Sequence, residues 1–201
     1  VLIDQAQDYC VGLANFFMAE FKRRGGEIVA ITYIQTGDQD FTAQISALKG
    51  KNPDLIYAPN YYTEDALLAK QLKDLGVKTT VLTGDGAQVP ELVGIGGAAV
   101  DGMYFTALFH RQGATTELGR RFLEAYEAGW KKQLDAFAAL GGEGYFLLAD
   151  AINRAGDLNG AKIAQALAAT KDFQGVTGAI TMGPDHHPIK GVTVIKVEKG
   201  Q

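Results

Sequence analysis

The sequence predicts an α/β fold built on a parallel β-sheet, and two observations carry this prediction. Over about the first hundred residues, short segments rich in β-branched side chains alternate with longer segments whose apolar residues recur every three or four positions. In addition, 47% of the residues are apolar and 21% are charged, which supplies a buried core and argues against disorder. Such alternation is typical of doubly wound parallel sheets with helices on both faces.

The strands of this part are predicted from apolar runs, at 1–3, 27–34, 54–58, 79–82 and 103–107. The helices between them are predicted at about 9–24, 38–51 and 63–76, with a short one after Pro90. Asp38 and Thr63 are the predicted N-caps of the second and third helices, because their side chains can accept hydrogen bonds from first-turn N–H groups.

From about residue 108 the rhythm changes. Three helical segments follow one another, at about 116–132, 143–155 and 160–169, and the end is glycine-rich and strand-like at 175–182 and 191–197. A run of helices cannot continue the first sheet. The sequence therefore predicts a second lobe or an appended region, with the boundary near 108–114.

Composition excludes several classes of function. The net charge is −4 with a pI near 5.4, and without a basic stripe a nucleic-acid partner is not expected. No apolar run approaches the roughly 18 residues that span a membrane. No cofactor or metal is expected, because the adjacent His186 and His187 point to opposite faces of a strand. The residues after the first strand carry no glycine fingerprint for a dinucleotide.

Polar and aromatic residues follow three of the predicted strands. Tyr9 follows the first strand, Asn60 and Tyr61 the third, and Gly84 and Asp85 the fourth. Because the carboxyl ends of parallel strands line one crevice, these residues are expected to converge there. Two phenols and a carboxylate suit a small cationic or zwitterionic solute, and no nucleophile or phosphate loop accompanies them. The pattern alone leaves open that the tyrosines are ordinary edge residues and that the aspartate merely caps a helix.

Eight short motifs occur in order along the chain. They are Asp8-Tyr9-x-x-Gly12-Leu13, Gly25-Gly26-Glu27, Gly37-Asp38-x-Asp40-Phe41-Thr42, Lys51-Asn52-Pro53-Asp54, Tyr61-Tyr62-x-Glu64, Gly84-Asp85-Gly86, Asp101-Gly102-Met103-Tyr104-Phe105 and Phe173-Gln174-Gly175-Val176-Thr177-Gly178. As an ordered set that covers essentially the whole chain, they resemble the leucine/isoleucine/valine-binding group of periplasmic solute-binding proteins of ABC transporters.

This resemblance implies a periplasmic-binding-protein-like fold of two α/β lobes that close on an amino acid or related zwitterion. It also implies a monomer, a membrane permease as partner, and a periplasmic or extracytoplasmic location, with the signal peptide outside this chain. Members of the group are roughly twice as long. Residues 1–107 would then be one ligand-binding lobe, 108–114 the hinge crossing, 115–190 the later part of the other lobe, and 191–201 a strand returning to the first.

The resemblance also assigns roles to residues. Tyr9 and Tyr61 would face the ligand and Asp85 would take its α-ammonium, whereas the loops that grip its carboxylate would lie outside this chain. Gly142, in Gly141-Gly142-Glu143-Gly144, stands where the group has a tyrosine that opens a helix and walls the ligand, with Glu143 beside it. The missing phenol predicts a larger pocket, and a ligand bulkier than valine or leucine or of another class.

Two alternatives to an importer component stay open. The same fold serves as the ligand-sensing extracellular domain of a receptor or regulator. A small Rossmann-like enzyme is the less favoured alternative, because the first strand lacks the glycine fingerprint that such an enzyme requires.

Overall fold

The computed structural model describes residues 1–111 and 114–200, which form two compact units. Unit 1 comprises Val1–Thr106 together with the chain from Val194 onward, and unit 2 comprises Ala107–Thr193. The predicted hinge crossing at 108–114 includes Gln112 and Gly113, which lie outside the described residues. No helix of the described ranges is both long and apolar enough to cross a membrane.

Strands and helices alternate through unit 1, and helices dominate unit 2. The strands are β1 (Leu2–Asp4), β2 (Thr32–Ile34), β3 (Leu55–Tyr57), β4 (Thr80–Thr83), β5 (Tyr104–Ala107), β6 (Phe173–Gly175), β7 (Gly178–Met182), β8 (Pro188–Ile189) and β9 (Thr193–Lys196). The helices are α1 (Asp8–Arg23), α2 (Thr42–Lys49), α3 (Tyr62–Asp74), α4 (Pro90–Gly96), α5 (Glu117–Trp130), α6 (Ala136–Ala155) and α7 (Gly160–Ala168).

The β1–β2, β3–β4 and β4–β5 pairs of unit 1 are parallel, as the sequence predicts. β1 pairs with β2 in one sheet, and β3, β4 and β5 pair successively in another. β9 completes the second sheet beside β5, so its strand order is β3-β4-β5-β9. The carboxyl ends of β3 and β4 therefore lie side by side, which positions the loops that carry Tyr61 and Asp85 next to each other.

Three details of unit 1 differ from the predictions. The strand predicted at 27–34 is a strand only at Thr32–Ile34, and Val29 and Ile31 stay 40% and 42% exposed. β-Branched residues favour strands mainly by packing on a half-buried surface, which is incomplete here. Asp38 does not cap α2, because its carboxylate accepts a hydrogen bond from Gln35 N inside the preceding turn. Thr63 lies within α3, and the cap position is that of Tyr61.

The core of unit 1 lies between the sheets and the helices. Its largest fully buried apolar side chains are Leu2, Ile34, Phe41, Ile45, Leu48, Ile56, Leu68, Leu92 and Val100. Cys10 packs with Ile3 and Ala14 beneath Tyr9 and Tyr61. Burial raises the pKa of the Cys10 thiol to about 12, so this side chain acts as a small apolar group and not as a reactive thiolate.

Unit 2 combines α5, α6 and α7 with the antiparallel sheet β6-β7-β8. The strand predicted at 175–182 is a hairpin, since β6 ends at Gly175 and β7 begins at Gly178. The helix predicted at 143–155 begins earlier, at Ala136, because the Asp135 side chain caps it by accepting from Ala138 N at 2.8 Å. Phe109, Leu134, Ala139 and Val176 form the buried core, with Phe122 and Phe146 packed against it.

Candidate functional site

Tyr9, Tyr61 and Asp85 come together at the carboxyl ends of the strands, as predicted from their positions after β1, β3 and β4. The Tyr9 hydroxyl donates a hydrogen bond of 2.7 Å to Asp85 Oδ1 across 76 positions of sequence. The rings of Tyr9 and Tyr61 stack with centroids 5.2 Å apart and an interplanar angle of 30°. The three side chains thus form one continuous surface of two phenol rings and a carboxylate.

Each of the three residues occupies the start of the element that follows its strand. Tyr9 lies in the first turn of α1, Tyr61 is the N-cap residue of α3, and Asp85 begins a 3-10 turn that runs to Ala87. In parallel sheets these starts face the same edge, which explains why residues distant in sequence meet here.

Two glycines allow the aromatic rings to approach the loop after β4. A Cβ at Gly84 would lie 2.6 Å from the Tyr9 hydroxyl and 2.9 Å from Leu13 Cδ1. A Cβ at Gly86 would lie 3.1 Å from Tyr61 Cδ1. Gly86 N also donates to the Tyr9 hydroxyl at 2.9 Å, which gives the phenol a second hydrogen bond beside the one to Asp85. Gly84 therefore serves the site through its lack of a side chain.

The electrostatics of the site leave one negative charge without a protein counter-charge. Burial, and then the charge of Asp85, raise the pKa of the Tyr9 hydroxyl well above its ordinary value, so the hydroxyl stays a donor. Asp85 is only partly buried, and it forms no ion pair with any residue that the structure describes. The arrangement can therefore accept hydrogen bonds from a cationic group placed against the two rings.

Asn60 lies behind this surface. Its side chain is fully buried, and Oδ1 accepts a hydrogen bond of 2.8 Å from Asp4 N at the end of β1. The Asn60 amide is thus used inside unit 1, and direct contact of Asn60 with a ligand stays a prediction.

Gly142 and Glu143 lie in unit 2, within α6 and not at its start. A Cβ at Gly142 would lie 2.4 Å from Phe122 Cζ, so an aromatic ring of α5 already fills the volume beside this glycine. The space next to Gly142 is thus occupied by the Phe122 ring, and the enlarged pocket expected from the missing tyrosine stays a prediction.

The Glu143 carboxylate is satisfied inside unit 2. It forms an ion pair of 2.6 Å with Lys190, and both side chains are 6% exposed. Glu143 Oε2 also accepts from Thr177 N at 2.7 Å and from Thr177 Oγ1 at 2.6 Å. This cluster ties α6 to the β6–β7 turn, so the sequence-based assignment of Glu143 to ligand binding receives no geometric support.

Sequence reasoning missed two buried polar residues under the site, Asp65 and Thr83. Asp65 lies in the first turn of α3, where it is fully buried and bonded to Thr83 and Asn60. The sequence signal for this burial was the position of Asp65, one helical turn after Tyr61. No group of three or more His, Cys, Asp or Glu side chains that could hold a metal ion occurs in the ranges the structure describes.

The parallel lobe with its aromatic and acidic strand ends matches a known family. A sequence model described as periplasmic binding protein matches residues 1–201. The chain belongs to the periplasmic binding protein family. The Leu/Ile/Val-binding protein homolog 1 of Brucella suis biovar 1 is 27% identical over 99% of this chain, and the match covers 53% of that protein.

Solved structures agree with this assignment. A leucine-binding protein of Thermotoga maritima superimposes with a TM-score of 0.92 and 41% identity, covering all of this chain and 57% of that one. The branched-chain amino acid transporter substrate-binding protein of Streptococcus pneumoniae, solved with isoleucine, gives a TM-score of 0.82 and 33% identity, covering 100% of this chain and 56% of that chain. The chain thus spans about half the length of these relatives and has the fold of the matching part.

Proposed function

We propose that this chain is the amine-binding part of the solute-binding component of an ABC-type importer, which captures an amino acid outside the cytoplasm. The observation that carries the proposal is the Asp85 carboxylate, partly exposed and without an ion-pair partner among the described residues, beside the stacked rings of Tyr9 and Tyr61. The relatives named for leucine, isoleucine and valine support an amino acid with an apolar side chain as the ligand.

The proposed contacts supply part of the affinity such a protein needs. A ligand ammonium bonded to Asp85 contributes about 1.5–3 kcal/mol, and a tyrosine face over the cation adds about 0.5–2 kcal/mol. Micromolar binding requires about 8 kcal/mol. The remainder must come from apolar contact with the ligand side chain and from groups that bind its carboxylate.

The proposed role is capture without chemical conversion. Membership of the periplasmic binding protein family supports a mechanism in which the complete protein closes two lobes on its ligand and presents it to a membrane permease. A monomer in the periplasm or another extracytoplasmic space is part of the same proposal.

The proposal is tested by calorimetry on the complete protein with two probes, L-leucine and 4-methylpentanoate, which lacks the amine. Asp85→Asn should weaken L-leucine binding by about 10- to 150-fold, because it removes a charge-assisted hydrogen bond, and should change 4-methylpentanoate binding little. Glu91→Gln is the matched control, since Glu91 is an exposed acid of the same unit at the start of α4.

Two results would overturn the proposed function. One is equal weakening of both probes by Asp85→Asn, which would mean that the carboxylate does not recognise an amine. The other is a thermal-shift screen in which no amino acid protects the complete protein and nucleotides do.

A further inference from the structure

Beneath the candidate site, three fully buried polar side chains are joined by hydrogen bonds. Asn60, Asp65 and Thr83 are each 0% exposed. The Thr83 hydroxyl bonds to Asp65 Oδ2, and Asn60 Nδ2 lies 3.4 Å from Asp65 Oδ1. Buried polar groups are costly unless their partners are in place, so a network of this kind restricts the backbone around it.

The network connects the strands whose ends carry the site. Thr83 is the last residue of β4, and Asn60 follows β3. From there the Asn60 side chain reaches β1, where Oδ1 accepts from Asp4 N at 2.8 Å and Nδ2 lies 3.5 Å from Leu2 O. β1 and β3 belong to different sheets, so no backbone hydrogen bonds of a β-ladder join them. The Asn60 side chain therefore links these two strands directly.

Each connected strand end leads directly into a site residue. Asn60 immediately precedes Tyr61, and Asp65 N donates to Tyr61 O at 3.0 Å. Thr83 is followed by Gly84 and then Asp85. The end of β1 leads into the first turn of α1, which holds Tyr9. A change in the network would therefore move all three side chains relative to one another.

We propose that Asn60, Asp65 and Thr83 are positioning residues that set the mutual placement of Tyr9, Tyr61 and Asp85, and that the protonation state of Asp65 tunes this placement. The proposal rests on the proposed function only for the identity of the ligand, since the placement itself is a property of unit 1.

The environment of Asp65 makes its protonation sensitive to pH near neutrality. Burial, and to a lesser degree the charge of Glu64, raise the pKa of Asp65 to about 8, against the opposing hydrogen bonds from Thr83 and Asn60. The titratable groups that face this region from the surrounding elements are Asp4, Cys10, Tyr57, Glu64 and Asp85. Asp65 has no ion pair with any residue in the described ranges.

The two protonation states require different hydrogen bonds. A neutral Asp65 can donate its proton to Thr83 Oγ1 while Oδ1 accepts from Asn60, whereas an ionised Asp65 must accept from both. Ionisation also places an uncompensated charge in the interior of unit 1. The network, and with it the loops of Tyr61 and Asp85, should therefore differ below and above the pKa of Asp65.

The protonation of Asp65 also changes the stability of the folded state with pH, and the direction of this change follows from its raised pKa. The folded-state pKa of Asp65 lies above its usual value of 3.8, so the folded state holds the proton longer than the unfolded state does. The contribution of this group to the stability of the folded state is greatest at low pH, falls as pH rises from about 4 to about 8, and is constant above that.

The direct test is a pH titration of the Tyr61 and Gly86 backbone amides by NMR in the complete protein without ligand, from about pH 6 to about pH 10. Gly86 reports on the site because its N–H donates to the Tyr9 hydroxyl. In the wild type, the chemical shifts of both amides should change with pH, with a midpoint near the pKa of Asp65. Asp65→Asn, which imitates the neutral carboxyl, should abolish the shift without unfolding the lobe.

Three further variants define the origin of the shift. Thr83→Val removes a hydrogen bond that stabilises the ionised form and should raise the midpoint. Glu64→Gln removes a neighbouring negative charge and should lower it, while the exposed Glu91→Gln should leave it unchanged. A wild type without a transition in this range, or an Asp65→Asn variant that titrates like the wild type, would overturn the proposal.

A second measurement connects the network to binding. The ratio of the L-leucine dissociation constants of wild type and Asp65→Asn, by calorimetry across the same pH range, cancels the titration of the ligand amine. We expect this ratio to change by at least about twofold, the lower limit for coupled neighbouring groups. A constant ratio with clear L-leucine binding would show that the network does not tune affinity. An NMR transition without L-leucine binding would leave the network intact and refute the proposed ligand.

Discussion

At the scale of single residues, the Tyr9 hydroxyl is the group that joins the parts of the site. It accepts a hydrogen bond from Gly86 N and donates one to Asp85, so it links α1 to two consecutive residues of the turn after β4. A phenol is suited to this position because its ring packs on Tyr61 while its hydroxyl serves as donor and acceptor at once.

Replacing Tyr9 by phenylalanine should therefore destabilise unit 1. Tyr9→Phe keeps the ring but leaves the buried Gly86 N–H without its acceptor, a loss of about 1–3 kcal/mol that should lower the urea midpoint of the complete protein. Tyr33→Phe is the control, since Tyr33 is 52% exposed on the same unit. Equal midpoints for the two variants would contradict the importance of this hydroxyl.

At the scale of elements, the positions after β1, β3 and β4 were predictable because parallel strands place their carboxyl ends on one edge. That rule alone predicts the meeting of Tyr9, Tyr61 and Asp85, and the structure confirms their proximity. The burial of Asp65 was not predictable in the same way. An acid in the first turn of a helix also suits solvent, where the helix dipole stabilises it.

The start of α6 shows a different limit of the sequence. Gly141 and Gly142 suggest a break, since each glycine in a helix interior costs roughly 1 kcal/mol relative to alanine. The structure continues the helix through both, because the cap by Asp135 and the close approach of Phe122 to Gly142 favour it. Such compensation by a residue of another helix is invisible in the local sequence.

Alanine substitutions within α6 should separate the effect of helix propensity from the effect of packing against Phe122. Gly144→Ala has open space around the new methyl group and should stabilise α6 by about 0.5–1 kcal/mol through helix propensity. Gly142→Ala should instead destabilise by about 1–3 kcal/mol, because the methyl group overlaps the Phe122 ring. Thermal unfolding of the complete protein checks the opposite signs. Stabilisation by both would mean that the Phe122 ring moves aside freely.

At the scale of the whole molecule, the proposed function gives unit 1 contacts for only one end of a zwitterionic ligand. The residues that form its site, Tyr9, Tyr61, Gly84, Asp85 and Gly86, include a carboxylate but no lysine or arginine. The chain also spans about half the length of its relatives, with 53% of the Brucella protein and 57% of the Thermotoga structure covered. The groups that bind the ligand carboxylate should therefore lie apart from the Asp85 site in the complete protein.

If separate parts of the protein bind the ammonium and carboxylate ends of the ligand, the losses in binding free energy from removing each contact should add. In calorimetry on the complete protein, Asp85→Asn should weaken L-leucine and L-leucine methyl ester by the same factor, because both carry the amine that we propose Asp85 binds. Wild type should in turn bind the ester more weakly than L-leucine, because the ester has lost its carboxylate charge. For separate sites the two losses in binding free energy should add within about 0.5 kcal/mol. A larger deviation would mean that the ammonium and carboxylate groups of the ligand share protein partners, and that recognition is not divided between separate parts of the molecule.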